Sequence, residues 1–429
     1  MSYFAGIKNG QIKIISNTSF NCDGLETIQL PEELSSIPSG ELIVNYKFKN
    51  NQFVSNKSMK NANQLKVALV SNWKTSCGIA TYAENLFGRI MSQVGDFKLF
   101  IEKQDEFIGT VNIADGYNFS PSKISACWKR GESLSDLVNK LKEYDPDVIL
   151  IQHEFGLFPN SRYWLSMMNQ LSDYRVIVTM HSVFHHRDKT ICEAAIPEIV
   201  THLEGGYDVL KIEKQVPGKV HVIPHGCTPC DNPEKLWNFY KSEQTFMQFG
   251  FGFRYKGWEN CIKAVALLKQ KYKDIFFTGL FSESPYNKVE HHLYYNELMD
   301  LIKSLGVEEN VAIIRGFQSD TSLDSYLRTN MVTLFPYVSD DAHEVFGASG
   351  AARLAMSKGI PVITSTVNHF SDLPTLKANG PDEIAGMLSK VFSDKKFCED
   401  QINRQSAYLS ENTWEKVAQK YISIFENGL

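Results

Sequence analysis

The segment from Leu334 to Ser365, LFPYVSDDAHEVFGASGAARLAMSKGIPVITS, constrains the chain more than any other stretch. It reads as a buried strand over 332–336, a polar loop, a helix opening on small residues, and a second strand over 361–364. Two strands joined through a helix run parallel and need helices to cover them, so this part of the chain is committed to an α/β layer fold. At the helix start, Gly347, Ala348, Ser349 and Gly350 leave backbone N–H groups uncovered at the positive end of a helix dipole, a place suited to an anion. Glu344 stands just before it, so a carboxylate faces whatever carries the anion. A nucleotide-sugar fits, with its diphosphate on the helix start and sugar hydroxyls on Glu344. A capped helix packed closely on a sheet fits the same residues.

The same alternation fills most of the chain. Strands are predicted over 65–70, 97–102, 148–152, 175–180 and 219–224, with helices over 81–94, 134–144 and 163–171 between them. A second set opens with a strand over 245–251 and continues through helix 258–271, strand 274–279, helix 294–305, strand 311–315 and helix 320–328. Helices over 381–392 and 412–426 end the chain. His153 and Glu154, then His181, sit where strands end, which is where open α/β sheets hold their ligands. Arg254 and Lys256 fall at the first turn of the second set, two cations beside a helix start, suited to a leaving diphosphate. Residues 1–63 differ: alternating apolar runs between Gly, Pro and Asn turns describe a small β-rich appendage. Its lysines (Lys47, Lys49, Lys57, Lys60) among Asn, Tyr and Phe make it a solvated face or a docking module.

With 429 residues, two domains and an appendage are expected, and a net charge of −5 excludes a global basic footprint for nucleic acid. No apolar run approaches the ~18 residues of a membrane span. The start, MSYFAGIKNG, has no signal-peptide pattern, so a cytoplasmic protein is expected. Eight scattered cysteines, with Cys227 and Cys230 as a lone CxxC, suit reduced thiols rather than a zinc or disulfide framework. His181, His185 and His186 lack further ligands at zinc spacing, so no metal is expected.

Taken in order, these loops resemble the motifs of family 4 glycosyltransferases, retaining enzymes of the GT-B fold, over roughly residues 65–428. W-x-x-x-C-G-I-A-x-Y (73–82) resembles that family's first loop, whose glycine, here Gly78, lets backbone approach the donor phosphates and the acceptor. Q-H-E-F-G (152–156) and V-T-M-H-S (178–182) resemble acceptor-side loops, and V-I-P-H-G (222–226), with His225, resembles the end of the first domain. Lys256-Gly257 matches the family's K-G turn, with Arg254 nearer the lysine than usual. E-V-F-G (344–347) and G-I-P-V (359–362) match the two ends of the donor motif. That motif's second glutamate, a ribose contact, is missing: eight residues after Glu344 stands Ala352, and allowing for two extra helix residues the place falls on Leu354.

The resemblance implies a GT-B architecture of two Rossmann-like domains facing a cleft, acceptor-side over 64–228 and nucleotide-sugar over 229–411. A terminal helix over 412–429 would cross back onto the first domain. It implies a glycosyltransferase moving a sugar from a UDP- or GDP-linked donor to a hydroxyl on a glycan or lipid-linked sugar, without cofactor or metal. The donor side would be Gly78, Arg254, Lys256, Phe317 and Gln318 (against the base), Glu344, Phe346, Gly347, Ala348 and Ser349. Glu344, His181, His153, Arg254 and Lys256 would be catalytic, and Glu154, His181 and His225 would face the acceptor. Two alternatives stand beside this: transfer to hydroxymethylated bases of DNA, with the appendage docking the duplex, and a non-catalytic nucleotide-sugar-binding module.

Overall fold

Strands buried on both faces need unbroken apolar runs, and the chain supplies them in two groups. The computed structural model describes residues 4–8, 11–16, 26–31, 46–49, 52–55, 60–75, 77–103, 120–187, 191, 193–194, 196–230, 244–283, 287–339 and 344–427. Lys57, Cys22, Cys192 and parts of the β-rich appendage predicted over 1–63 lie outside them. The chain divides into two units.

The first unit takes the chain up to Pro224, with Val345–Gly347 and the stretch from Trp414 onward. Its N-terminal part is an antiparallel sheet of β1 (Phe4–Lys8), β2 (Gln11–Ser16), β3 (Glu26–Gln29), β4 (Tyr46–Lys49) and β5 (Gln52–Ser55), ordered β3-β1-β2-β4-β5. The main sheet is built from β6 (Lys66–Ser71), helix α1 (Gly78–Met91), β7 (Asp96–Glu102), β8 (Ile124–Trp128), α2 (Ser135–Tyr144), β9 (Val148–His153), α3 (Ser161–Gln170) and β10 (Val176–Met180). A two-residue strand β11 (Val183–Phe184), then β12 (Glu198–Thr201), α4 (Glu204–Asp208) and β13 (Lys219–Val222) complete it. The seven main strands are parallel in the order β13-β12-β10-β9-β6-β7-β8. Strand order reverses between β6 and β9, the crevice where a doubly wound sheet holds its ligand.

The second unit runs from His225 to Glu344 and from Ala348 to Thr413. It contains β14 (Thr245–Phe251), α5 (Trp258–Leu268), β15 (Phe276–Ser282), α6 (Lys288–Ser304), β16 (Val311–Arg315), α7 (Asp320–Thr329) and β17 (Val332–Phe335). The chain then lends β18 (Val345–Phe346) to the first unit, where it pairs antiparallel with β11. It continues through α8 (Gly350–Met356), β19 (Val362–Thr364), β20 (Leu376–Lys377), α9 (Gly380–Ser393) and α10 (Lys395–Glu411). The order β16-β15-β14-β17-β19-β20, all parallel, places this sheet's reversal between β14 and β17.

The last helix, α11 (Trp414–Asn427), buries Trp414, Val417, Ala418, Tyr421, Ile422 and Phe425 in the first unit's core beside Tyr82 and Phe87 of α1. Arg175 closes its far end, donating to the Phe425 and Ile424 carbonyls at 2.6 Å each, where a cation meets the negative end of the helix dipole.

Some predictions shift, and some elements were missed. Pairing of Val345 and Phe346 delays helix α8 to Gly350, so the uncovered helix start lies three residues beyond Gly347 and the helix is only seven residues long. Helix α6 begins six residues before the predicted 294. Helix α10, and strands β8 and β12, were not foreseen from the apolar pattern.

Candidate active site

In the second unit, the loops after β14 and β17 meet at the strand reversal. Strand β14 ends in a single 3-10 turn, Arg254–Lys256, closed by Gly257 at φ +64°. A side chain there would put Cβ 2.1 Å from the Pro336 carbonyl oxygen, so the turn requires glycine in both conformation and space. The turn sends its two cations different ways. Arg254 is half exposed and ion-paired to Glu290 (2.8 Å) and Glu297 (2.6 Å) of α6, over the Tyr294 ring. Lys256 is 9% exposed, and its Nζ donates to the Tyr337 hydroxyl at 2.6 Å. Among the described residues no carboxylate lies within ion-pair reach of it. The structure therefore does not bring Arg254 and Lys256 together.

Around Lys256 stand three rings. Tyr337 and Tyr255 present faces at 4.5 and 5.6 Å from Nζ. The His369 imidazole stacks on Tyr255 and meets Tyr337 edge-on at 5.6 Å. Burial, with Lys256 adding to it, lowers the His369 pKa to about 4, so the ring is neutral near pH 7. Its carbonyl accepts the Ser349 N–H at 3.3 Å. Ser349 caps α8, its hydroxyl accepting from the Ala352 N–H, and lies in hydrogen-bond reach of the Tyr337 hydroxyl. Glu344 is exposed and accepts from Asn368, the neighbour of His369. Gly350 lies against His225, whose Nε2 would be 3.3 Å from an added Cβ and whose Nδ1 donates to the Gly226 carbonyl. His225 thus stands beside the donor-motif helix of the second unit. Phe317 is 60% exposed after β16, and the Gln318 side chain bonds back to the Gly316 carbonyl.

Where the family's second glutamate would stand, Ala352 is buried and Leu354 is 37% exposed. Between them Arg353 is 2% exposed, paired to Asp372 and bonded to the Tyr408 hydroxyl and Ser349 carbonyl at 3.0 Å each.

In the first unit, histidines end adjacent strands, and sheet register sorts them. Met180 lies opposite both His153 and Thr201, so the next residues, His181 and His202, face the other side of the sheet from His153. His153 is 2% exposed among Phe155, Phe158 and Trp164, and burial alone lowers its pKa to about 3. His181 packs edge-on to Tyr82 and 5.2 Å from the His202 ring. Burial and the His202 and His153 rings hold its pKa well below the ordinary value. Its Nε2 lies 2.8 Å from the Gln152 side-chain oxygen, which only accepts, so that nitrogen carries the proton. The network continues from Gln152 to Thr179 (3.5 Å), Tyr421 (2.9 Å) and Tyr82 (3.2 Å). Burial pushes the Glu154 carboxyl above the usual carboxylate range, against hydrogen bonds from Ser182 and the Phe155 and Gly156 N–H groups. A side chain at Gly78 would meet nothing within 4 Å, so the start of α1 is open to an approaching ligand. The packed glycine is Gly347, where Cβ would fall 2.9 Å from the His181 carbonyl; Phe346 packs against Gly205 and His185.

Sequence reasoning overlooked Tyr337, His369, Arg353 and His202. Only His202 left a signal: Q-H, M-H, T-H and P-H follow four successive apolar runs at 152, 180, 201 and 224.

No protein-family model and no curated protein sequence matches the chain. Solved structures do. A sucrose-phosphate synthase from Thermosynechococcus elongatus superposes with TM-score 0.63 and 13% identity, over 85% of this chain and 99% of that one. A UDP-forming α,α-trehalose-phosphate synthase from Burkholderia xenovorans gives 0.63 and 10%, over 85% and 99%. Anabaena HepE in complex with UDP and glucose gives 0.61 and 11%, over 85% and 100%. At such identity the likeness is one of fold: the chain has the GT-B fold, with two Rossmann-like domains.

Proposed function

We propose that the protein is a retaining glycosyltransferase of the family 4 type, moving a sugar from a nucleoside-diphospho-sugar to a hydroxyl acceptor. The observation that carries this is Lys256, a buried ammonium whose one hydrogen-bond partner among the described residues is a neutral hydroxyl, at the strand reversal of the second Rossmann-like domain. An ammonium out of water without a carboxylate is costly unless an anion joins it. A donor diphosphate supplies that anion and gathers charge as its bond to the sugar breaks, so Lys256 binds the transition state better than the substrate.

In this reading the C1–O bond to the diphosphate breaks while the acceptor oxygen closes on C1 from the same face. The acceptor proton passes to the departing phosphate oxygen, which retains the anomeric configuration without a protein nucleophile. Glu344, steadied by Asn368, orients sugar hydroxyls. His181, whose Nε2–H donates to the Gln152 side-chain oxygen, offers Nδ1 as acceptor to a hydroxyl. Enclosed His153 supports the wall behind it, and Arg254, matched by two glutamates, braces the turn that carries Lys256. Glu154 and Ser182 receive the acceptor, and Gly78 leaves room for backbone to approach. Phe317 offers a ring face to the base. UDP is the first nucleotide to try, because structures of like fold are described with UDP; GDP is the second. No resident cofactor or metal is called for. Among the described residues no helix is long and apolar enough to cross a membrane, and work in the cytoplasm is proposed with it.

Lys256→Ala is expected to lower transfer from the cognate donor at least ~10²-fold, the scale for one preorganised transition-state contact. The assay uses UDP- and GDP-sugars with glycan, lipid-linked and hydroxymethylated-DNA acceptors. Near-normal turnover in the variant would refute the assignment, and donor binding without transfer to any acceptor would favour the binding-module reading.

A further inference from the structure

The Lys256 ammonium has three N–H groups and one described partner, the Tyr337 hydroxyl. That hydroxyl also lies in hydrogen-bond reach of Ser349, whose oxygen already accepts from the Ala352 N–H. Whichever of the two hydroxyls donates to the other, one O–H remains unspent, together with two of the ammonium's N–H groups. Three unspent donors thus lie around the Tyr337 hydroxyl, with no carboxylate among the described residues to neutralise the ammonium. Tyr337 does this by an uncommon choice. A buried lysine is ordinarily steadied by a carboxylate, which would cancel its charge. Here a phenol fixes the ammonium at 2.6 Å, with Tyr337 4% exposed, so the position is defined while the charge is kept. The residue arrives directly after β17, across the strand reversal from Lys256, so its place follows from the topology.

We propose that Tyr337 is a positioning residue for the diphosphate: it holds Lys256 in a donor-only cluster with Ser349 that selects a multiply charged phosphate oxygen group. This rests on the reading of Lys256 as the donor-diphosphate ligand, and its test separates the two.

The test measures binding of inorganic pyrophosphate, UDP, GDP, ADP and TDP by calorimetry to the full chain and to Tyr337→Phe. Binding of pyrophosphate and one nucleoside diphosphate is expected, with Tyr337→Phe weakening both at least tenfold while the unliganded thermal midpoint stays within a few degrees. Lysine labelled with 15N at Nζ gives the readout a merely structural role would not move. A slowly exchanging ammonium signal, assigned by its loss in Lys256→Met, is expected to shift or broaden in Tyr337→Phe. Ser349→Ala, which removes the hydroxyl's other partner, is the second variant and is expected to weaken pyrophosphate about threefold. Binding to both variants within error of the wild type, or an unmoved ammonium signal, overturns the inference. Pyrophosphate binding that depends on Tyr337, with no nucleoside diphosphate bound, supports it and overturns the glycosyltransferase reading. A wild-type chain that binds no pyrophosphate overturns the inference outright.

Discussion

Arg353→Met tests whether the loop leading into α8 is held from below. The Arg353 guanidinium is 2% exposed and faces one carboxylate, Asp372, whose side chain keeps 22% exposure. It also donates to the Tyr408 hydroxyl and to the Ser349 carbonyl, the backbone of the cap beside Lys256. Removing one partner of a buried ion pair costs about 3–5 kcal/mol, because the other charge is left unmatched. The exposure of Asp372 puts the pair near the lower limit, and the lost bond to a buried carbonyl adds about 1 kcal/mol. The expected loss is thus about 4 kcal/mol. For a domain of this size that lowers the unfolding midpoint by roughly 8–16 °C. Urea unfolding followed by hydrogen exchange in peptides covering α8 and α10 confines the reading to the second unit. Asp372→Asn in the same chain removes the unmatched charge, so the double variant is expected to cost well under the sum of the singles. A single-variant loss below about 1 kcal/mol, or additive singles, would refute the argument.

Acid should weaken both units. Burial lowers His153 to about 3 and His181 well below its ordinary value in the first unit; in the second, burial beside Lys256 lowers His369 to about 4, and burial also lowers His291. Each binds protons in the unfolded chain from pH 6.5 downward but not in the folded one, so stability is full above 6.5 and falls on acidification, by about 1.4 kcal/mol per pH unit per histidine until the folded pKa is reached. Urea midpoints at pH 7.5, 6.5 and 5.5 should therefore drop for both units, and His153→Phe should lessen the first unit's slope. Tyr421→Phe should cost about 1–2 kcal/mol, because the Thr179 and Tyr82 hydroxyls lose a buried partner; thermal unfolding checks it, and an unchanged midpoint would deny the network.

The two sheets were legible because a strand covered on both faces must be apolar throughout, as VALV in β6 and VILI in β9 are. The same rule hid β12. It opens on Glu198, which is 2% exposed because Arg175 (2.9 Å) and His221 (2.9 Å) hold it, and a buried carboxylate breaks the run that marks a strand. Helix α10 was invisible for a related reason. Its inner face carries Gln401 and Gln405, both buried, and Gln405 bonds the Ile360 carbonyl and the Val362 N–H at 2.8 and 3.0 Å. A helix whose buried face mixes glutamines with Cys398, Ile402 and Leu409 shows a broken apolar period.

The candidate site divides along the same line. Lys256 and Gly257 were readable because a strand end followed by a cation and an obligatory positive-φ glycine is a local feature. Tyr337 and His369 are separated from Lys256 by 81 and 113 residues of chain, and nothing local in P-Y-V or N-H-F says that they meet. Losing β12 also meant losing His202, since the level of a histidine in a sheet is known only once its strand is. That level decides which face it serves. The register Met180 to His153 and Met180 to Thr201 turns His153 into an aromatic box and turns His181 and His202 toward Tyr82. Three strand-end histidines look alike in the sequence, and a one-residue difference in where each strand stops assigns them to opposite faces.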